Sequence, residues 1–106
     1  MSADNGVYIL RTKDKQYRVA SFQNPEEMHY DIVDSTYKKE YTSYGLFKKF
    51  GDLENFTTNP EKAISIATAL EEELSVCEYG IQIIHVDKTW KQIEKEYQLI
   101  GLNKQV

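Results

Sequence analysis

The sequence predicts an α+β domain: a mostly antiparallel sheet opening with an N-terminal β-hairpin, and two helices packed on one face. Three observations lead there. Residues 7–22 form two alternating runs, dense in β-branched and aromatic residues, around a polar break. Residues 58–74 carry an apolar stripe at helical spacing behind a capping signal. An isoleucine-rich run at 79–86 then precedes a second amphipathic stretch. With 106 residues the chain is near the commonest size for one core, so residues 1–106 are read as a single domain.

Each element follows from its residues. Val7 to Lys13 and Gln16 to Phe22 are the hairpin strands, joined through Asp14-Lys15, a turn without the favoured Asn-Gly or Asp-Gly pair. Asn24-Pro25 ends the second strand, because proline removes a backbone donor and biases its predecessor to extended geometry. Residues 26–44 read poorly: Met28, Ile32 and Val33 fit a short helix, while Thr36 to Tyr44, rich in tyrosine and threonine, leans to strand. A short element over Leu46 to Phe50 ends at Gly51-Asp52, and Leu53 to Thr57 reads as a further short strand. Thr58 and Glu61 have capping-box spacing, Pro60 suits the first turn, and Ala63, Ile66, Ala67, Leu70 and Leu74 make one helical stripe. Tyr79 to Val86 reads as a central strand. Asp87 or Thr89 caps a last helix with Trp90, Ile93, Tyr97 and Ile100 inward, which Gly101 is expected to stop.

Composition removes several classes of function. No segment approaches the roughly 18 apolar residues of a membrane span, and no charged and apolar leader precedes Gly6, so neither membrane insertion nor secretion is expected. A single cysteine, Cys77, forms no internal disulfide, which fits a reducing cytoplasm. The formal charge of −4 argues against general nucleic-acid binding. Charge is unevenly spread, though. Residues 36–49 hold Lys38, Lys39, Lys48 and Lys49 against Glu40, whereas residues 52–78 hold seven acids against Lys62, which predicts a basic side and an acidic side.

Catalytic and metal chemistry find little purchase. His29 and His85 have no partner at metal-ligand or acid-base spacing, and both read as ordinary histidines. Cys77 lies near a helix C-terminus beside Glu78, where negative potential disfavours a thiolate. Glu71, Glu72 and Glu73 point about 100° apart around a helix and read as a solvated face. Neither a phosphate-binding glycine loop nor a dinucleotide turn is present, so no cofactor, no metal and no enzymatic activity are expected.

One segment keeps a functional reading. Tyr37, Lys38, Lys39, Tyr41, Tyr44 and Lys48, with Phe47, Lys49 and Phe50, interleave rings that stack a base with cations that hold phosphate. Arg11 and Arg18 on the hairpin add guanidinium groups. The competing reading is that these tyrosines are half-buried strand residues or interface anchors, and the lysines solvating groups.

Ser2-Ala3-Asp4-Asn5-Gly6-Val7-Tyr8-Ile9-Leu10, Tyr17-Arg18-Val19-Ala20, Phe56-Thr57-Thr58 leading into Pro60-Glu61-Lys62-Ala63, and Glu78-Tyr79-Gly80-Ile81 together resemble a family of small phage- and prophage-encoded proteins. That resemblance implies a setting inside the host cytoplasm rather than a reaction. Accessory proteins of that setting often act against host immunity by binding. The resulting expectation is a non-enzymatic counter-defence protein that sequesters a nucleotide-like immune signal; separately, exposed sheet edges in a chain this small predict a homo-oligomer, by edge pairing or through a helix face. The alternative partner is a host defence protein, such as a CRISPR effector, met by the acidic surface around Glu71 to Glu78.

Overall fold

The computed structural model of the chain describes residues 6–22, 42–74 and 80–104, with side chains described as far as Leu99. Strands β1 (Gly6–Arg11), β2 (Tyr17–Phe22), β3 (Phe56–Thr57) and β4 (Ile81–His85) form one sheet in the order β3-β2-β1-β4. Helices α1 (Ser43–Phe50), α2 (Pro60–Glu73) and α3 (Trp90–Lys104) pack against it. β1 and β2 pair antiparallel, as do β2 and β3, while β4 runs parallel to β1. The α+β class, the mostly antiparallel sheet and the N-terminal hairpin are those the sequence predicts.

The hairpin turn works without Asn-Gly because Lys15 takes the left-handed conformation, at φ 59°. Lys15 N–H donates to the Thr12 carbonyl and Thr12 N–H to the Gln16 carbonyl, each at 3.0 Å, which is a three-residue loop closed by a bulge. Thr12, only 1% exposed, spends its hydroxyl on Asp14 and also accepts from Gln16 N–H.

The helices do not share a face. Tyr8, Leu10, Ala20, Phe22 and Ile84 pack with Leu46 and Phe50 of α1 and with Trp90 and Ile93 of α3. Val7, Ile9 and Val19 pack on the other face against Ala63 and Ala67 of α2. The physical reason lies in the unbroken run Val7-Tyr8-Ile9-Leu10: successive strand residues point to opposite faces, so an apolar run needs cover on both.

Boundaries differ from expectation in four places, each with a local cause. Ser43 and Tyr44 are helical rather than the end of a strand, because Thr42 caps α1 by accepting from Gly45 N–H at 3.2 Å. The rest of that expected strand, and the expected short helix at 26–33, lie outside the described residues. Leu53–Asn55 is a 3₁₀ turn capped by Asp52, which leaves only Phe56–Thr57 as strand. Asn59, not Thr58, caps α2, accepting from Glu61 and Lys62 N–H groups. Finally, α3 runs through Gly101 to Lys104. Its start is Thr89, one of the two expected caps: Thr89 Oγ1 accepts from Gln92 N–H while Gln92 Oε1 accepts from Thr89 N–H, a reciprocal capping box.

β4 lies at the edge of the sheet among the described residues, not at its centre. Ile84 and Val86 are buried under α3, whereas Ile83 is 66% exposed and Gln82 faces solvent. Of the strand's three isoleucines only Ile84 is fully buried, while Ile81 is half-buried and Ile83 exposed on the other face. Gly80 enters this strand with φ 65°, a conformation that side chains rarely adopt, which accounts for glycine there.

Candidate functional site

The two hairpin arginines point to opposite faces. Arg18 pairs with Leu10 in register and so belongs to the α1/α3 side, whereas Arg11 continues the Val7 and Ile9 side under α2. They do not converge on one ligand.

Arg18 is built into the core. It is 4% exposed, with its guanidinium carbon 3.7 Å from the Trp90 ring centre and 4.7 Å from that of Phe56. Nη1 donates to the Phe50 carbonyl at 3.4 Å, and Nε has no hydrogen-bond partner among the described residues. Burial lowers its pKa from the ordinary arginine value, against the attraction of Glu94 and Asp14, and an arginine still carries its charge there. The stack continues beyond the indole: Phe47 lies on Trp90 at 5.5 Å, Tyr97 on Phe47 at 4.3 Å, and Tyr44 on Tyr97 at 5.2 Å. Tyr44 is therefore already engaged between α1 and α3, and the Lys48 ammonium lies 5.2 Å over its ring. Aromatics and cations do meet here, as the sequence predicts, but they meet each other. Tyr37, Lys38, Lys39 and Tyr41 lie outside the described residues.

A polar cluster joins the same layer. Ser43, 4% exposed, donates to Glu96, and Lys88 Nζ reaches both Glu96 at 3.0 Å and Ser43 Oγ at 3.2 Å. A buried hydroxyl whose neighbour is an ion-paired ammonium offers no nucleophile with a free base. The cluster instead fastens the start of α1 to α3 and to the loop after β4. The bond from Ser43 and then the contacts with Lys88 lower the Glu96 pKa from its ordinary 4.5. The folded state therefore gains stability that is fully present above that ordinary value and is lost as acidification passes the lower folded value. In urea melts between neutral and acid pH, Glu96→Gln is expected to flatten part of the acid loss; parallel curves for both proteins would refute the assignment.

Arg11 has a different setting. The register places Tyr17, Arg11 and His85 side by side across β2, β1 and β4 on the α2 face. Arg11 and Tyr17 line a cavity of about 200 Å³ whose remaining walls are Ile9, Pro60, Ala63, Ile64 and Ile83. Arg11 Nε is buried and has no hydrogen-bond partner among the described residues. His85 is exposed beside it. The arrangement offers a cationic donor and a phenol at the head of an apolar slot, which suits an anion with an apolar body. A more open depression of about 520 Å³ runs along α3 between Thr89 and Gln98, where Lys91, Lys95 and Glu94 mix charges without converging.

Nothing at Arg11 resembles a metal centre: among the described residues no cluster of three or more histidine, cysteine or acidic side chains exists. His29 and Cys77 lie outside those residues. No described helix is long and apolar enough to cross a membrane. Sequence reasoning singled out Arg11 but missed Tyr17, Ile64 and Ile83, whose signal was available. Tyr17 is the hairpin partner of Arg11, and Ile64 falls off the apolar stripe of its helix. No protein-family model, curated protein or solved structure matches the chain.

Proposed function

We propose that this protein is a non-enzymatic binder of a nucleotide-like anion and that, in the phage setting its motifs resemble, it acts by sequestering a nucleotide immune signal inside the host cell. One observation carries the reading: the Arg11 guanidinium, with an unpartnered buried Nε, heads a cavity with otherwise apolar walls apart from Tyr17. Arg11 holds phosphate, Tyr17 donates to it, and Ile9, Ile64 and Ile83 receive sugar or base. At about 200 Å³ the cavity is smaller than the roughly 300–1,000 Å³ of most ligand sites, so it encloses only part of such a molecule. Tyr37, Lys38, Lys39 and Tyr41 belong to this reading as further contacts. Arg18, Tyr44 and Lys48 support it only indirectly, through the fold.

The test is direct. Purified protein is mixed with linear and cyclic nucleotides, filtered off, and the filtrate chromatographed before and after heat denaturation. Depletion followed by release of intact compound is the expected result, and release of an altered compound would mean catalysis. Arg11→Gln is expected to weaken uptake about tenfold or more, since a lost charge-assisted bond costs ~1.5–3 kcal/mol. No depletion of any compound would sink the reading.

A second reading has its own observation. Glu72 and Glu73 are exposed at the end of α2, a surface suited to the basic groove of a host defence protein. Charge reversal at these two positions abolishes that association and leaves nucleotide uptake unchanged.

A further inference from the structure

We propose that a second copy of this chain docks antiparallel along β4, about a two-fold axis at Ile83, to continue the sheet from one protomer into the other. Val7 N–H donates to the Gly80 carbonyl and Val86 N–H to the Arg11 carbonyl. With a parallel ladder between them, the even-numbered residues of this segment turn their backbone groups towards β1. Ile81, Ile83 and His85 therefore turn theirs outward, where no described strand lies. An outward edge with isoleucine at its centre is a template for pairing, and the usual deterrents are missing: the strand Ile81–His85 has no lysine, no proline and no glutamate.

Charge and apolar surface favour a copy of the same chain over another strand. Glu71 lies beside Gly80, its carboxylate oxygen 3.9 Å from where a side chain on that glycine would begin. The opposite end of β4 carries His85, level with Arg11. Glu71 thus marks one end of the edge and Arg11 the other, with exposed Asp87 beyond it, so an antiparallel copy sets each Glu71 end against the Arg11 end of its partner. A parallel copy would oppose like charges. Centring the pair on Ile83 joins Ile83 to its own counterpart and Ile81 to the partner's His85, with every outward group bonded. Ile83 and Ile64, 66% and 54% exposed, then gain cover on the α2 face. An isologous contact of this kind closes at two chains and leaves no free β4 edge.

The contact shares Ile83 and Ile64 with the Arg11 cavity, but its measurements need no ligand, so its failure is distinguishable from that of the nucleotide reading. Sedimentation equilibrium of the full chain over a wide concentration range is expected to give a monomer–dimer equilibrium. Ile83→Lys, which opposes two ammonium groups on the axis, is expected to weaken it about tenfold or more. Glu71→Lys is expected to weaken it as well, and adding His85→Glu to restore it. Hydrogen exchange on the unaltered protein gives a second measurement: the Ile81, Ile83 and His85 amides are expected to slow as concentration rises. A monomer at every concentration, a dimer indifferent to Ile83→Lys, or rapid exchange of those amides in concentrated protein would overturn the proposal.

Discussion

Replacing Arg18 by alanine is expected to cost about 3 kcal/mol or more, whereas methionine at the same position is expected to stay within about 1 kcal/mol of the parent protein. The difference rests on two opposing terms. A guanidinium set between Trp90 and Phe56 gains cation–π attraction, on the order of 2 kcal/mol when desolvated, but it also gives up hydration and leaves Nε without a partner. Methionine forfeits the attraction and removes the desolvation cost while filling the slot. Alanine forfeits the attraction and opens a cavity between two rings. Urea midpoints for the three proteins decide the matter. If alanine and methionine lose the same amount, charge and not volume holds the site.

Phe22→Ala is expected to be the most damaging single truncation, at about 3–5 kcal/mol. Phe22 is 1% exposed, meets the Tyr8 ring edge-on at 5.1 Å and the Phe50 ring at 6.0 Å, and carries the Lys49 ammonium 4.6 Å over its face. It thus joins β1, β2 and α1 through one side chain. Domains of this size are held by about 5–15 kcal/mol, so the variant is expected to be partly unfolded at body temperature. Ile83→Ala, an equally apolar truncation at an exposed position of the monomer, should change monomer stability by less than about 0.5 kcal/mol. Thermal melts of both variants, run dilute to suppress association, test the pair; a mild Phe22→Ala would mean the α1/α3 layer is not one cooperative core.

Local signals in the sequence identified most elements, and the failures share a cause. Both hairpin strands, the α2 stripe of Ala63, Ala67, Ile66 and Leu70, and the Thr89 start of α3 are set by neighbours in the chain. What the sequence left hidden is which face each element takes. β4 reads as central because Ile81, Ile83 and Ile84 are alike in composition, yet α3 covers Ile84 while α2 reaches only far enough to half-bury Ile81. Gln82 was the local clue to an edge. The site followed the same rule: Arg11 and Arg18 are both hairpin arginines, but odd and even positions of paired strands put them on opposite sides of the sheet. Tyr44 and Phe47 were legible as an aromatic cluster and not as core, because their stacking partners Tyr97 and Trp90 come from a helix far along the chain.

The separation of the two faces also furnishes an optical probe. The chain has one tryptophan, and Trp90 lies between Phe47 and Arg18 on the side of the sheet away from the Arg11 cavity. Its emission therefore reports whether the α1/α3 layer is docked and is blind to events beneath α2. Any Arg11 variant that loses nucleotide uptake with an unshifted emission maximum has lost a ligand contact, and one whose emission moves to the red has lost its fold. The indole thus separates those two outcomes in a single cuvette.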